Sequence, residues 1–142
     1  MSFDDTAVGD ERSTSARTVT EADIVNFAGV SGDFNYLHTD AERMANSDFG
    51  ERIAHGALVF SMMTGLLWQD RENEDVVAFY GVDRLRFRAP TFVGDTVHVE
   101  TEVVEKEARD HPEAAGVVRE EAEVKTGDGT VVLSCELLAL LR

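Results

Sequence analysis

The run Ile53-Ala54-His55-Gly56-Ala57-Leu58-Val59-Phe60-Ser61-Met62-Met63-Thr64-Gly65-Leu66-Leu67-Trp68 decides the fold. From Ala57 onward it has almost no polar break, so a helix over these residues is expected to be buried nearly all round. It is shorter than the roughly 18 apolar residues a membrane span needs and it contains His55, which makes it a core helix. Upstream, Thr20 can cap a helix whose first turn holds Glu21 and Asp23 and whose Ile24, Phe27 and Ala28 follow i, i+3, i+4 spacing. Residues 13–19 before it read as a short strand, residues 31–40 after it as a loop, and residues 40–45 as a second short helix. Downstream the period changes to two. Residues 76–88, 96–107, 117–125 and 130–141 alternate or are β-branched, with turns at 90–94 and 126–129. One greasy helix followed by four antiparallel strands is an α+β arrangement, with the sheet wrapped around the central helix.

At 142 residues and 43% hydrophobic the chain holds one domain, residues 1–142, with residues 1–12 expected as a flexible N-terminal segment. That segment carries Asp4, Asp5 and Asp10 and lacks the apolar run of a signal peptide, so the cytoplasm is the expected location. The net charge of −15 repels a phosphate backbone, which excludes nucleic acid as a partner, and nothing here is expected to enter a membrane. Lys106 and Lys125 are the only lysines; so acidic and lysine-poor a chain suits concentrated salt, and a halophilic source is expected. Cys135, the single cysteine, sits among apolar strand residues and reads as a buried structural thiol. His98 and His111 have no acidic neighbours at metal-ligand spacing, so both read as surface residues and no metal site is expected. A thin sheet leaves part of such a helix uncovered, which calls for a second copy: a homodimer or a higher homo-oligomer, closed over Phe60, Met63 and Leu67.

Two segments carry chemistry. Ser31-Gly32-Asp33-Phe34-Asn35-Tyr36-Leu37-His38 places a carboxylate and an imidazole five residues apart in a polar loop, an arrangement suited to general acid–base work. His55-Gly56 immediately precedes the apolar run, where the first backbone amides of a helix have no intrahelical partner and the dipole is positive. Glycine there lets a ligand oxygen approach the backbone, so a developing oxyanion can be held. Each segment alone is also compatible with plain local hydrogen bonding.

Together they resemble the MaoC-like family of hot-dog-fold hydratases, above all the R-specific enoyl-CoA hydratases, whose motif reads Asp-x-Asn-x-x-His followed by His-Gly at a helix start. The resemblance extends to Phe49-Gly50, to Ser61, and to Leu85-Arg86-Phe87-Arg88-Ala89-Pro90-Thr91-Phe92-Val93-Gly94-Asp95-Thr96. Tyr36 stands where relatives commonly have proline, a difference that bears on substrate shape. The resemblance implies reversible syn hydration of a trans-2-enoyl-CoA, with coenzyme A present only as part of the substrate and no other cofactor. Asp33 and His38 are then the proton-transfer pair, His38 as base and Asp33 as acid, and the Gly56 amide holds the thioester oxygen. Asn35, His55 and Ser61 orient the pair or the thioester. Arg84, Arg86 and Arg88 share one strand face by period two and are candidates for the coenzyme A phosphates, although a merely solvated face is the commoner arrangement. Two rival readings share the fold: a hot-dog acyl-CoA thioesterase, and a non-catalytic acyl-CoA-binding or regulatory protein.

Overall fold

A computed structural model describes residues 1–69 and 75–142. The chain begins with two short strands, β1 (Glu11–Ser13) and β2 (Arg17–Thr18), followed by helices α1 (Glu21–Ser31), α2 (Tyr36–Thr39) and α3 (Ala41–Ala45). The central helix α4 (Gly56–Gln69) comes next, and then β3 (Val76–Phe87), β4 (Thr96–Ala108), β5 (Gly116–Thr126) and β6 (Val131–Leu141). All pairings are antiparallel, in the order β1-β4-β5-β6-β3, with β2 alongside β4. The sheet curls around α4, which makes the architecture a hot-dog fold of the α+β class.

The core lies between α4 and the inner face of the sheet. Leu58, Met62, Met63 and Leu66 of the helix pack against Val97, Val99, Val124 and Leu133, all buried. Burial of each such side chain stabilises the fold by roughly 1.5–3 kcal/mol. At the start of α1, Thr20 accepts the Asp23 amide while the Asp23 carboxylate accepts the Thr20 amide, a reciprocal capping box. A second, smaller cluster of Phe3, Val103, Val118 and Leu141 closes the far end of the sheet. Gly116 is required there, since a Cβ would lie 2.3 Å from the Glu107 carbonyl oxygen.

Several expectations are corrected. Residues 1–12, expected as a flexible segment, are bonded to the sheet: Phe3 is buried, its amide donates to Arg142 O at 2.7 Å, and Gly9 N–H donates to Val103 O at 2.7 Å. The single strand expected at 13–19 is two strands with residues 14–16 between them. The loop expected at 31–40 contains α2, because Asn35 caps a helical turn. The central helix starts at Gly56, within one residue of the expected start, but it is not buried all round: Ala57, Ser61 and Gly65, spaced by four, form an exposed stripe of small residues. Met63 and Leu67 are already covered within one chain, so they give no reason for a second copy.

Candidate active site

Three segments meet at the amino end of α4. Gly32 ends α1 in the left-handed region (φ 77°) and turns the chain into Asp33. Asp33 Oδ1 then accepts the Asn35 amide at 3.1 Å, and Asn35 Oδ1 accepts the Leu37 amide at 3.0 Å. These side-chain-to-backbone bonds convert a run of turn formers into one fixed path and start α2. His38 is thereby carried inward to 8% exposure, while Asp33 keeps half of its side chain in water. Asn35 caps the turn that bears His38.

His38 Nδ1 lies 2.7 Å from the Ile53 carbonyl oxygen. A carbonyl only accepts, so Nδ1 carries the proton, and in the neutral ring Nε2 is left with a lone pair. Nε2 faces Asp33 Oδ2 at 3.6 Å, too long for a direct hydrogen bond and short enough for one water to touch both groups. His55 supports this arrangement from below. Its Nε2 donates to the Asp33 backbone carbonyl at 2.9 Å, and its ring stacks on His38 with centroids 3.7 Å apart and 24° between planes. Phe27 closes the stack edge-on at 5.0 Å. Arg52, next to Ile53, pairs with Glu21 at 2.8 Å and so ties the segment ahead of α4 to α1; the guanidinium holds the Glu21 carboxyl below its usual range.

Asp33, His38 and His55 each offer one ligand atom, all within 4.8 Å of one another. Stacking places the two rings in nearly parallel planes, so their in-plane lone pairs do not converge on a single ion. The set suits proton transfer better than chelation. His55 Nδ1 is buried without a partner among the described residues.

Gly56 opens α4, and the first bond of the helical ladder is Val59 N–H to His55 O at 3.2 Å. The amides of Gly56, Ala57 and Leu58 precede it, at the positive end of the helix dipole. A Cβ on Gly56 would lie 2.7 Å from the ring of Phe87, so a side chain there requires the ring to shift.

The other candidates are placed differently. Ser61 lies on the exposed stripe of α4 and donates its hydroxyl back to Ala57 O at 2.8 Å, with no bond to Asp33 or His38 among the described residues. Arg84, Arg86 and Arg88 do not follow a plain two-residue period. β3 bulges between Asp83 and Arg86, with Arg84 at φ 52°, and Arg84 is engaged by Glu136. Arg88 Nε donates to Ser134 Oγ at 2.9 Å, and among the described residues the Arg86 side chain bonds only the Leu85 carbonyl. Arg84 and Arg88 line a groove of about 910 Å³ that contains none of Asp33, His38 and Gly56. His98 is half-buried beside Glu100 at 3.1 Å, which corrects its reading as a partnerless surface residue, whereas His111 is exposed. Cys135 is buried against Met63, as expected of a structural thiol.

Sequence reasoning missed two contributors. The Ile53 carbonyl that anchors His38 has no residue signature, since any residue supplies a carbonyl. Phe87 had a weak signal: alternation with Leu85 puts it on the helix side of β3.

Residues 4–126 match the MaoC like domain family, and the chain belongs to that family. It is 46% identical over 97 residues to protein MaoC of Klebsiella aerogenes, covering 68% of this chain and 29% of that protein. It is 40% identical over 82 residues to the (R)-specific enoyl-CoA hydratase of Aeromonas caviae, covering 58% of this chain and 60% of that one. A solved structure described as a monoamine oxidase regulatory protein from Archaeoglobus fulgidus superposes with a TM-score of 0.91 at 40% identity, covering all of this chain and 94% of that one. The chain thus spans less than two thirds of the length of these two curated relatives. Among the described residues no helix is long and apolar enough to cross a membrane.

Proposed function

We propose that the chain is an (R)-specific enoyl-CoA hydratase, adding water reversibly and syn to a trans-2-enoyl-CoA. The observation that carries the reading is the Asp33 Oδ2–His38 Nε2 pair at 3.6 Å beside the first amides of α4. His38 can exchange a proton only through Nε2, because Nδ1 is held by Ile53. In hydration, Nε2 takes a proton from the water between the two groups as the water oxygen bonds to C3. The C2–C3 π electrons shift into the thioester carbonyl, and the Gly56 amide stabilises the resulting enolate oxygen. Asp33, entering the step as the acid, delivers its proton to C2 on the same face. Return of the proton from His38 to Asp33 restores the starting state, so no cofactor is consumed.

Coenzyme A brings phosphates to a strongly acidic chain. Arg86 and Arg88, which have no carboxylate partner among the described residues, are the cations assigned to them; Arg84 is already committed to Glu136. The assembly is a homodimer or a higher homo-oligomer, joined at the long edge strand β3 with its exposed Tyr80, and working in the cytoplasm.

The test is incubation with crotonyl-CoA, following loss of the conjugated enoyl absorbance and the configuration of the product. Formation of (R)-3-hydroxybutyryl-CoA is expected. Release of free thiol would instead make the protein a thioesterase, and no reaction at all would leave a binding protein. Sedimentation in high salt checks the assembly: a single 15.6 kDa species with full activity would overturn the dimer.

A further inference from the structure

Phe87 is the last residue of β3 and pairs with Leu133, which is fully buried on the helix side of the sheet. Its ring therefore faces α4, yet it remains 58% exposed. The ring rests against the first turn of the helix: a Cβ built on Gly56 would meet its Cε1 at 2.7 Å and its Cζ at 2.8 Å. A phenyl ring with more than half its surface in water adds little to the core. The ring adjoins the turn whose amides precede the helical ladder, where the thioester oxygen is placed above.

We propose that Phe87 is the apolar wall of the acyl-thioester site and a specificity-determining residue, an inference that rests on the hydratase reading. An apolar acyl chain covers the open face of the ring and keeps water from the thioester oxygen, where low polarity strengthens the bond from the Gly56 amide. A carboxylated or hydroxylated acyl group at the same place loses its hydration against a ring that offers no partner. The substrate class is therefore an unsubstituted, apolar 2-enoyl thioester rather than a dicarboxylic one. Gly56 serves the same end, because any side chain there pushes the ring away from the wall position.

The experiment compares the wild-type chain with F87A, F87L, G56A and the double variant G56A/F87A. Three quantities are measured: kcat/KM for crotonyl-CoA and trans-2-octenoyl-CoA, the affinity for the unreactive butyryl-CoA and octanoyl-CoA by calorimetry, and sedimentation. F87A should change the octenoyl-to-crotonyl ratio of kcat/KM, and the matching ratio of affinities, by about tenfold or more. F87L should give a smaller change in the same direction. G56A should reproduce the shift by displacing the ring, and G56A/F87A should be no worse than G56A alone, because both changes act on one contact. Should F87A fail to fold, F87L and G56A carry the same comparison. Ratios within threefold of wild type in folded variants overturn the inference, as does a change confined to the association state, which would make Phe87 a subunit contact. A wild-type chain that binds acyl-CoA without hydrating it, and whose binding ratio still shifts in F87A, sinks the hydratase reading and keeps the wall. A wild-type chain that does neither sinks both.

Discussion

Replacing Asp33 by Asn separates the chemistry of the pair from its architecture. The amide keeps a carbonyl oxygen to accept the Asn35 N–H now bound at 3.1 Å, so the path into α2 survives. What is lost is the 3.6 Å contact with His38, made by a carboxylate half of which is in water. With one partner half in water, such a pair is worth about 1 kcal/mol, equivalent to a fall in Tm of roughly 3–4 °C for a domain of this size. Catalysis should suffer far more. Asn cannot pass a proton to C2, and loss of a positioned acid–base group lowers kcat by about 10²–10⁴, or roughly 3–5 kcal/mol of transition-state stabilisation. KM should move little, because Asp33 touches the reacting atoms rather than the bulk of the acyl-CoA. The assay is crotonyl-CoA hydration in the variant, alongside thermal unfolding. A kcat within tenfold of wild type, in protein that keeps its Tm, would refute the role of Asp33.

Three further outcomes are expected. Across β1, β4, β5, β6 and β3 the residues Glu11, Glu102, Glu121, Glu136 and Asp83 stand directly opposite one another in turn, and Arg119 and Arg84 compensate the Glu136–Asp83 end. Strands lie about 4.8 Å apart, and the screening length falls below that spacing only above about 0.4 M salt. Tm should therefore keep rising between 0.1 and 2 M KCl, as a halophilic chain requires; a flat profile above 0.1 M would count against it. Burial, with a smaller contribution from the charge of Glu136, pushes the Cys135 thiol up to about 11. Disulfide reagents at pH 8 should leave it intact in the folded protein and modify it fully in denaturant, and rapid native labelling would contradict its burial. The Asp128 carboxyl is lowered to about 2, first by the Thr126 hydroxyl and then by the Thr130 amide. Its folded value lies below its unfolded one, so its contribution is complete above about pH 4 and disappears as the pH falls through 2. The Tm gap between wild type and D128N should narrow over that window, and a gap that persists at pH 1.5 would show another origin.

Local patterns in the sequence were sufficient for the central helix, the four long strands and the pairing of Asp33 with His38. Hydrophobic content and period depend only on neighbouring residues, and the Asp33…His38 and His55-Gly56 spacings survive any fold that keeps loop and helix adjacent. The capped start of α1 was legible for the same reason, since Thr20 and Asp23 bond within one turn. Other features were decided by contacts between residues far apart in the chain. Phe3 and Gly116 meet only because β5 passes under the first residues, so composition alone made residues 1–12 look free. The tautomer of His38 depends on the carbonyl of Ile53, fifteen residues away and without a side-chain signature. The bulge at Arg84 broke a two-residue period that ideal alternation had extended through Arg88. Phe87 became part of the site only when β3 laid its ring on the first glycine of α4. A ring's wall position is a matter of ångströms between two elements, and such distances are set by the packed sheet and helix rather than by the order of residues within either.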